Sequence, residues 1–208
     1  MAMLAFSWLV IARWMSERQQ QAHATPTWIV PVVGLLDVPL AMPALHLTEL
    51  HGLMVLGLAV GLFFAIPLFT LIFSGLVFEP PLPDALQPTL MILLAPFAVG
   101  MSTYIATIGT IDLFAQGLYA LTLCMLAVLV GRLRYLGRCC PFRVAWWAVW
   151  FPLAAAAIAA LRMAESGPGG IIDSIAVALL AAATLVVLWL LVRTIAGIAN
   201  GELRALCA

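Results

Sequence analysis

The feature that most constrains this chain is a succession of apolar runs of about 20 residues, broken by short polar turns, with no remaining stretch large enough to fold separately. A run of that length crosses the hydrocarbon core of a bilayer as a helix, where only helices and closed barrels satisfy the backbone. Composition agrees, because 65% hydrophobic and 9% charged residues cannot furnish a water-facing surface for a soluble domain. The sequence therefore predicts an all-α membrane protein, a single transmembrane domain over residues 1–208 with about seven helices in hairpins. The expected spans are approximately 1–15, 27–45, 52–78, 89–107, 111–131, 145–161 and 171–192. The first is short, and Ala22-His23-Ala24 after it fits a signal-peptide cleavage site. Arg13 and Arg18 follow this run rather than precede it, which favours a membrane helix.

Charge gives the expected orientation. All nine cations are arginine and the net charge is zero, so no basic face for nucleic acid exists. Arg13, Arg18, Arg132, Arg134, Arg138, Arg143, Arg193 and Arg204 fall on one side of the spans and Arg162 alone on the other. Cytoplasmic loops retain positive charge, which predicts a multi-pass protein of the cell (inner) membrane with its C-terminus in the cytoplasm and its N-terminus outside. Trp14, Trp28, Trp146, Trp147 and Trp189 fall at the same interface, where amphipathic rings favour the headgroup region.

The residues point away from catalysis. There is no HExxH, no phosphate-binding glycine loop and no serine with a neighbouring histidine and acid, so an enzyme is not expected and no cofactor is implied. His46, Glu49 and His51 are formally able to bind a metal, but their spacing fits no zinc motif, and a solvated turn is the expectation. Cys124, Cys139, Cys140 and Cys207 form no CxxC pair; the adjacent Cys139 and Cys140 offer at most a lipidation or thiol site.

Proline is abundant inside the spans: Pro31, Pro39 and Pro43 in the second, Pro67 in the third, Pro96 in the fourth and Pro152 in the sixth. Each removes a backbone donor, so these helices should kink and face protein or a water-filled path rather than lipid. The alternative is that proline is simply common in membrane helices. Phe151 precedes Pro152 and a run of alanines, which makes it either a plug beside unfilled volume or an ordinary packed aromatic. Gly57 and Gly61 form a GxxxG pair suited to close helix contact. Asp37 is the one acid well inside a span, either a candidate proton site or a carboxylate that reaches water where Pro39 breaks the helix.

Three groups of residues carry a resemblance. They are Thr25-Pro26-Thr27-Trp28-Ile29-Val30-Pro31-Val32-Val33-Gly34; Leu82 to Thr89 with Leu94-Ala95-Pro96-Phe97-Ala98-Val99-Gly100; and Pro141-Phe142-Arg143-Val144-Ala145-Trp146-Trp147 with Phe151-Pro152-Leu153. Together they resemble the tellurite-resistance/dicarboxylate transporter family, which includes the bacterial tellurite-resistance membrane protein and the plant slow-type anion channels. The WW-x-x-x-F-P element is the most specific.

The resemblance implies a ten-helix, five-hairpin fold around a pore, commonly a homotrimer, of which this chain matches helices four to ten. Its second, fourth and sixth spans then line the pore, with Pro31, Pro39, Pro96 and Pro152 as the kinks and Phe151 as the gate. The implied function is passive transport of small anions, chloride- or nitrate-like, or tellurite, sulfite or a C4-dicarboxylate, with membrane lipid as the other partner. Two alternatives stand beside it: a proton-coupled carboxylate carrier using Asp37, and a non-conducting, N-terminally truncated membrane fragment.

Overall fold

The structure, a computed structural model, describes residues 2–19, 24–139, 142–167 and 169–201, without the side chains of residues 44, 48 and 132–139. Seven α-helices follow in chain order: α1 (Ala2–Ser16), α2 (Val30–Ala44), α3 (His51–Phe78), α4 (Ala95–Ile108), α5 (Leu113–Cys139), α6 (Trp150–Ser166) and α7 (Gly170–Ala199). Short 3₁₀ stretches lead into four of them, at Pro26–Ile29, Thr48–Leu50, Asp84–Leu94 and Val144–Val149. No strand occurs among the described residues, and the chain is an all-α, multi-pass membrane protein.

Among the described residues, six of the seven helical segments are long and apolar enough to span by themselves: Pro26–Pro43, His51–Phe78, Asp84–Ile108, Leu113–Gly131, Val144–Ser166 and Gly170–Ala199. At 15 residues α1 is about 22 Å long, short of the ~30 Å hydrocarbon core. The cleavage-like residues Ala22 and His23, the pair Cys140 and Pro141, and the terminal Arg204 and Cys207 lie outside the described residues. The side chains of Arg132, Arg134, Arg138 and Cys139 are likewise undescribed.

The spans sort into two layers. Over an apolar 18-residue stretch of each, those containing α2, α4 and α6 bury 56, 72 and 44% of the residues within the protein, against 33, 28 and 17% for those of α3, α5 and α7. The inner helices touch one another through α4, and each outer helix packs on the inner one that precedes it. Ile29, Leu36, Met91, Leu94 and Ala156 form part of the buried core between them. Apolar side chains such as Phe63, Ile66, Leu185 and Val192 are exposed on the outer helices, the surface that lipid solvates.

Three contacts fix the inner helices. Pro39 has no N–H to give the Leu35 carbonyl, and α3 covers that oxygen by bringing Gly57 against it: a Cβ there would lie 2.8 Å from the Leu35 oxygen and 3.1 Å from the Pro39 ring. One residue along, the buried Thr103 hydroxyl of α4 donates to the Leu36 carbonyl at 2.6 Å. The Ser7 hydroxyl, buried between α1 and α2, faces the carbonyls of Pro31 at 2.7 Å and Met3 at 2.9 Å. The interrupted backbone of α2 is thus enclosed by protein, as a membrane interior requires.

The α4–α5 turn is closed by local chemistry. Gly109 takes φ 85° and its N–H returns to the Ile105 carbonyl at 2.8 Å, a left-handed helix end that glycine adopts without strain. Asp112 then caps α5, its Oδ1 accepting from the N–H groups of Phe114 and Ala115 at 3.0 Å each, while its Oδ2 accepts from the Tyr104 hydroxyl at 2.6 Å.

Candidate functional site

The inner spans all begin in one way. A 3₁₀ stretch passes into an α-helix, and a proline follows within the first three α-helical residues: Pro31 in α2, Pro96 in α4 and Pro152 in α6. At the start of a helix the missing N–H costs no intrahelical bond. These three prolines therefore stand at the openings of the α-helical segments, and Pro39 lies within α2 about two turns beyond Pro31. Val30 and Ala95 nevertheless hold right-handed helical angles immediately before a proline, a conformation the following ring disfavours and the packed surroundings impose.

The residues that precede these prolines share a site. Val30, Ala95 and Phe151 line one groove of about 620 Å³ between α2, α4 and α6. The α2 wall is completed by Val33, Gly34, Asp37, Val38 and Ala41, positions that recur every three or four residues and so form one helical stripe. Ile92 and Ala148, one 3₁₀ turn before Ala95 and Phe151, line it too. Met3 closes the flank against α1, seated so tightly on Gly34 that a Cβ there would lie 1.9 Å from the Met3 Cε.

Phe151 has the largest side chain on this wall and is 41% exposed. Asp37 is half-buried and, among the described residues, is the one ionisable residue on the lining. The remaining walls are apolar.

The structure thus brings Phe151, Pro152 and Asp37 onto one groove. The other three prolines expected as pore kinks are not on its lining: Pro31 and Pro39 are buried, the latter against Gly57 of α3, and Pro96 lines a separate crevice of about 300 Å³ between α3, α4 and α5. Sequence reading missed Val30, Ala95 and Met3. The signal for the first two was available, since each stands before its proline as Phe151 stands before Pro152. His46, Glu49 and His51 are exposed in and beside the α2–α3 turn, and no group of three metal-ligating side chains gathers among the described residues.

The aromatic residues gather at the end where α2 and α6 begin. Trp14 stacks on Trp28 with ring centroids 5.3 Å apart, and Trp146 and Phe142 each meet Trp189 edge-to-face at 5.4 Å. Arg193 lies 5.4 Å above the Phe142 ring, and the Trp147 indole donates to the Thr194 hydroxyl at 3.1 Å.

Comparison with known proteins matches this arrangement to one family. Residues 1–195 match the family described as voltage-dependent anion channel, SLAC1. The S-type anion channel SLAH3 of Arabidopsis thaliana is 30% identical over 188 residues, covering 89% of this chain and 29% of that protein. The uncharacterized transporter MJ0576 of Methanocaldococcus jannaschii is 30% identical over 161 residues, covering 67% of this chain and 46% of its own length. The chain spans less than half the length of these relatives. With its match running through all three proline-led inner spans and the groove they enclose, the chain belongs to the voltage-dependent anion channel family.

Proposed function

We propose that the groove between α2, α4 and α6 is one wall of a passive pathway for small anions, obstructed by the side chain of Phe151. The observation that carries this reading is the convergence of the three residues preceding Pro31, Pro96 and Pro152 on one groove, with the bulkiest at Phe151. The anionic substrate class is drawn from family membership and from the name of the plant relative, an S-type anion channel. Among the described residues no lining side chain is cationic, so selectivity among chloride, nitrate, tellurite, sulfite and C4-dicarboxylates rests on passage width and backbone dipoles. We place the C-terminus in the cytoplasm and the protein in the cell (inner) membrane on the arginine asymmetry, and we take a homotrimer as the assembly on family resemblance.

The test is chloride and nitrate flux into liposomes carrying this chain, wild type against Phe151→Ala. The expected result is low flux for the wild type and a rise of about tenfold or more for the Ala variant. No flux from either protein, with insertion confirmed, would instead mark the chain as a non-conducting membrane piece.

A second reading is favoured by Asp37 on the same wall: a proton-coupled carrier in which this carboxylate takes up and releases a proton with a carboxylate substrate. It predicts uphill accumulation driven by a pH gradient alone. The passive pathway predicts none.

A further inference from the structure

Among the described residues Asp37 is the single ionisable side chain on the groove lining, and the passive anion pathway proposed above makes no use of it. It stands on the α2 stripe seven residues beyond Val30, about 10 Å along the helix, and lines the same groove as Phe151, so an ion moving along that groove passes its carboxylate. Among the described residues it has neither an ion-pair nor a hydrogen-bond partner.

Other charged or titratable groups on the neighbouring helices are engaged or placed elsewhere. On α1, Arg13 meets Glu17 at 3.1 Å beside the Trp14–Trp28 stack. On α3, His51 is exposed in the first turn. On α4, the Tyr104 hydroxyl is held by Asp112 at 2.6 Å. On α6, Arg162 and Glu165 occupy the final turns and are not on the lining. The field inside the groove is therefore governed by whether Asp37 carries its charge, because like charges at short range in an apolar, poorly screened passage repel strongly.

We infer that Asp37 is the charge-selectivity residue of this groove: as a carboxylate it opposes the passage of anions, and once neutral it lets them through. The inference rests on the groove being an anion pathway, and it makes conduction acid-activated. It differs from proton coupling, since the proton stays on Asp37 while anions run down their own gradient.

The experiment is chloride flux into liposomes in the Phe151→Ala background, at about pH 7.5 and about pH 4 on both sides, well above and near the ordinary aspartate value of about 3.9. With Asp37 present, flux rises roughly tenfold on acidification, the size expected of one nearby repulsive charge. Adding Asp37→Asn gives high flux at both pH values and raises the permeability of chloride relative to potassium. Adding Asp37→Glu, which keeps the carboxylate, preserves the rise and separates charge from any packing effect. An unchanged pH response in the Asn variant, or an Asn variant that conducts less than its parent at acidic pH, overturns the assignment while leaving the pathway in place. Silence from every variant at both pH values, with insertion confirmed, removes the pathway and the inference together.

Discussion

Gly57 of α3 lies so close to the Leu35 carbonyl of α2 that a Cβ added to it would stand 2.8 Å from that oxygen. Pro39 left this carbonyl without its helical donor, so the absence of a side chain at Gly57 is what lets α3 shield it from lipid. Gly57→Ala places a methyl group against backbone and a proline ring, neither of which can rotate away. The expected loss is about 1–3 kcal/mol, the range for overpacking. It is read as a lower thermal midpoint in detergent. A Gly57→Ala protein at least as stable as wild type would show that the close approach is not needed.

Thr103 and Leu36 tie α4 to α2 through a buried hydroxyl 2.6 Å from a carbonyl. Thr103→Val keeps the shape and removes the donor, at a cost of about 1 kcal/mol. Thr103→Ser keeps the donor and should recover most of the loss, and equal midpoints for Val and Ser would reject a role for the hydrogen bond.

Asp112 links the end of α4 to the start of α5 on the exposed turn. The Tyr104 hydroxyl, then the Ala115 and Phe114 N–H groups, hold its carboxyl below the ordinary carboxylate value of 3.8. A depressed folded value stabilises the protein above the unfolded value, and that contribution disappears as pH falls through the folded one. Asp112→Ala should accordingly lower the thermal midpoint at neutral pH, with the gap from wild type closing below about pH 4. A gap that stays constant into acid would mean that the cap acts without its charge.

The convergence of Val30, Ala95 and Phe151 predicts that obstruction can be moved between helices. In the Phe151→Ala background, Val30→Phe should return liposome chloride flux toward the wild-type level, because Val30 is exposed on the same groove and the new ring enters it from α2. Ile66→Phe, on the exposed face of α3, serves as the control and should not. Flux undiminished by Val30→Phe would separate the two positions functionally and weaken the shared-groove reading.

Much of the fold was legible along the chain, for local reasons. The length and apolarity of a spanning run are properties of consecutive residues, as are the arginine asymmetry, the GxxxG pair at Gly57 and Gly61, and the proline-led segments whose motifs carried the family resemblance. The 15-residue α1 was the weakest of these readings, because apolarity without length does not distinguish a crossing from a helix packed on its neighbour. The tertiary structure decided which face of each helix looks inward. In a water-soluble protein, polar and apolar stripes would have marked those faces, but in a bilayer both the protein interior and the lipid are apolar, and helices such as α3 and α7 are apolar all round. Val30, Ala95, Phe151 and Asp37 are far apart in sequence and come onto one groove only when α2, α4 and α6 pack side by side. That packing is set by how closely Gly57 and Thr103 let α3 and α4 approach the interrupted backbone of α2.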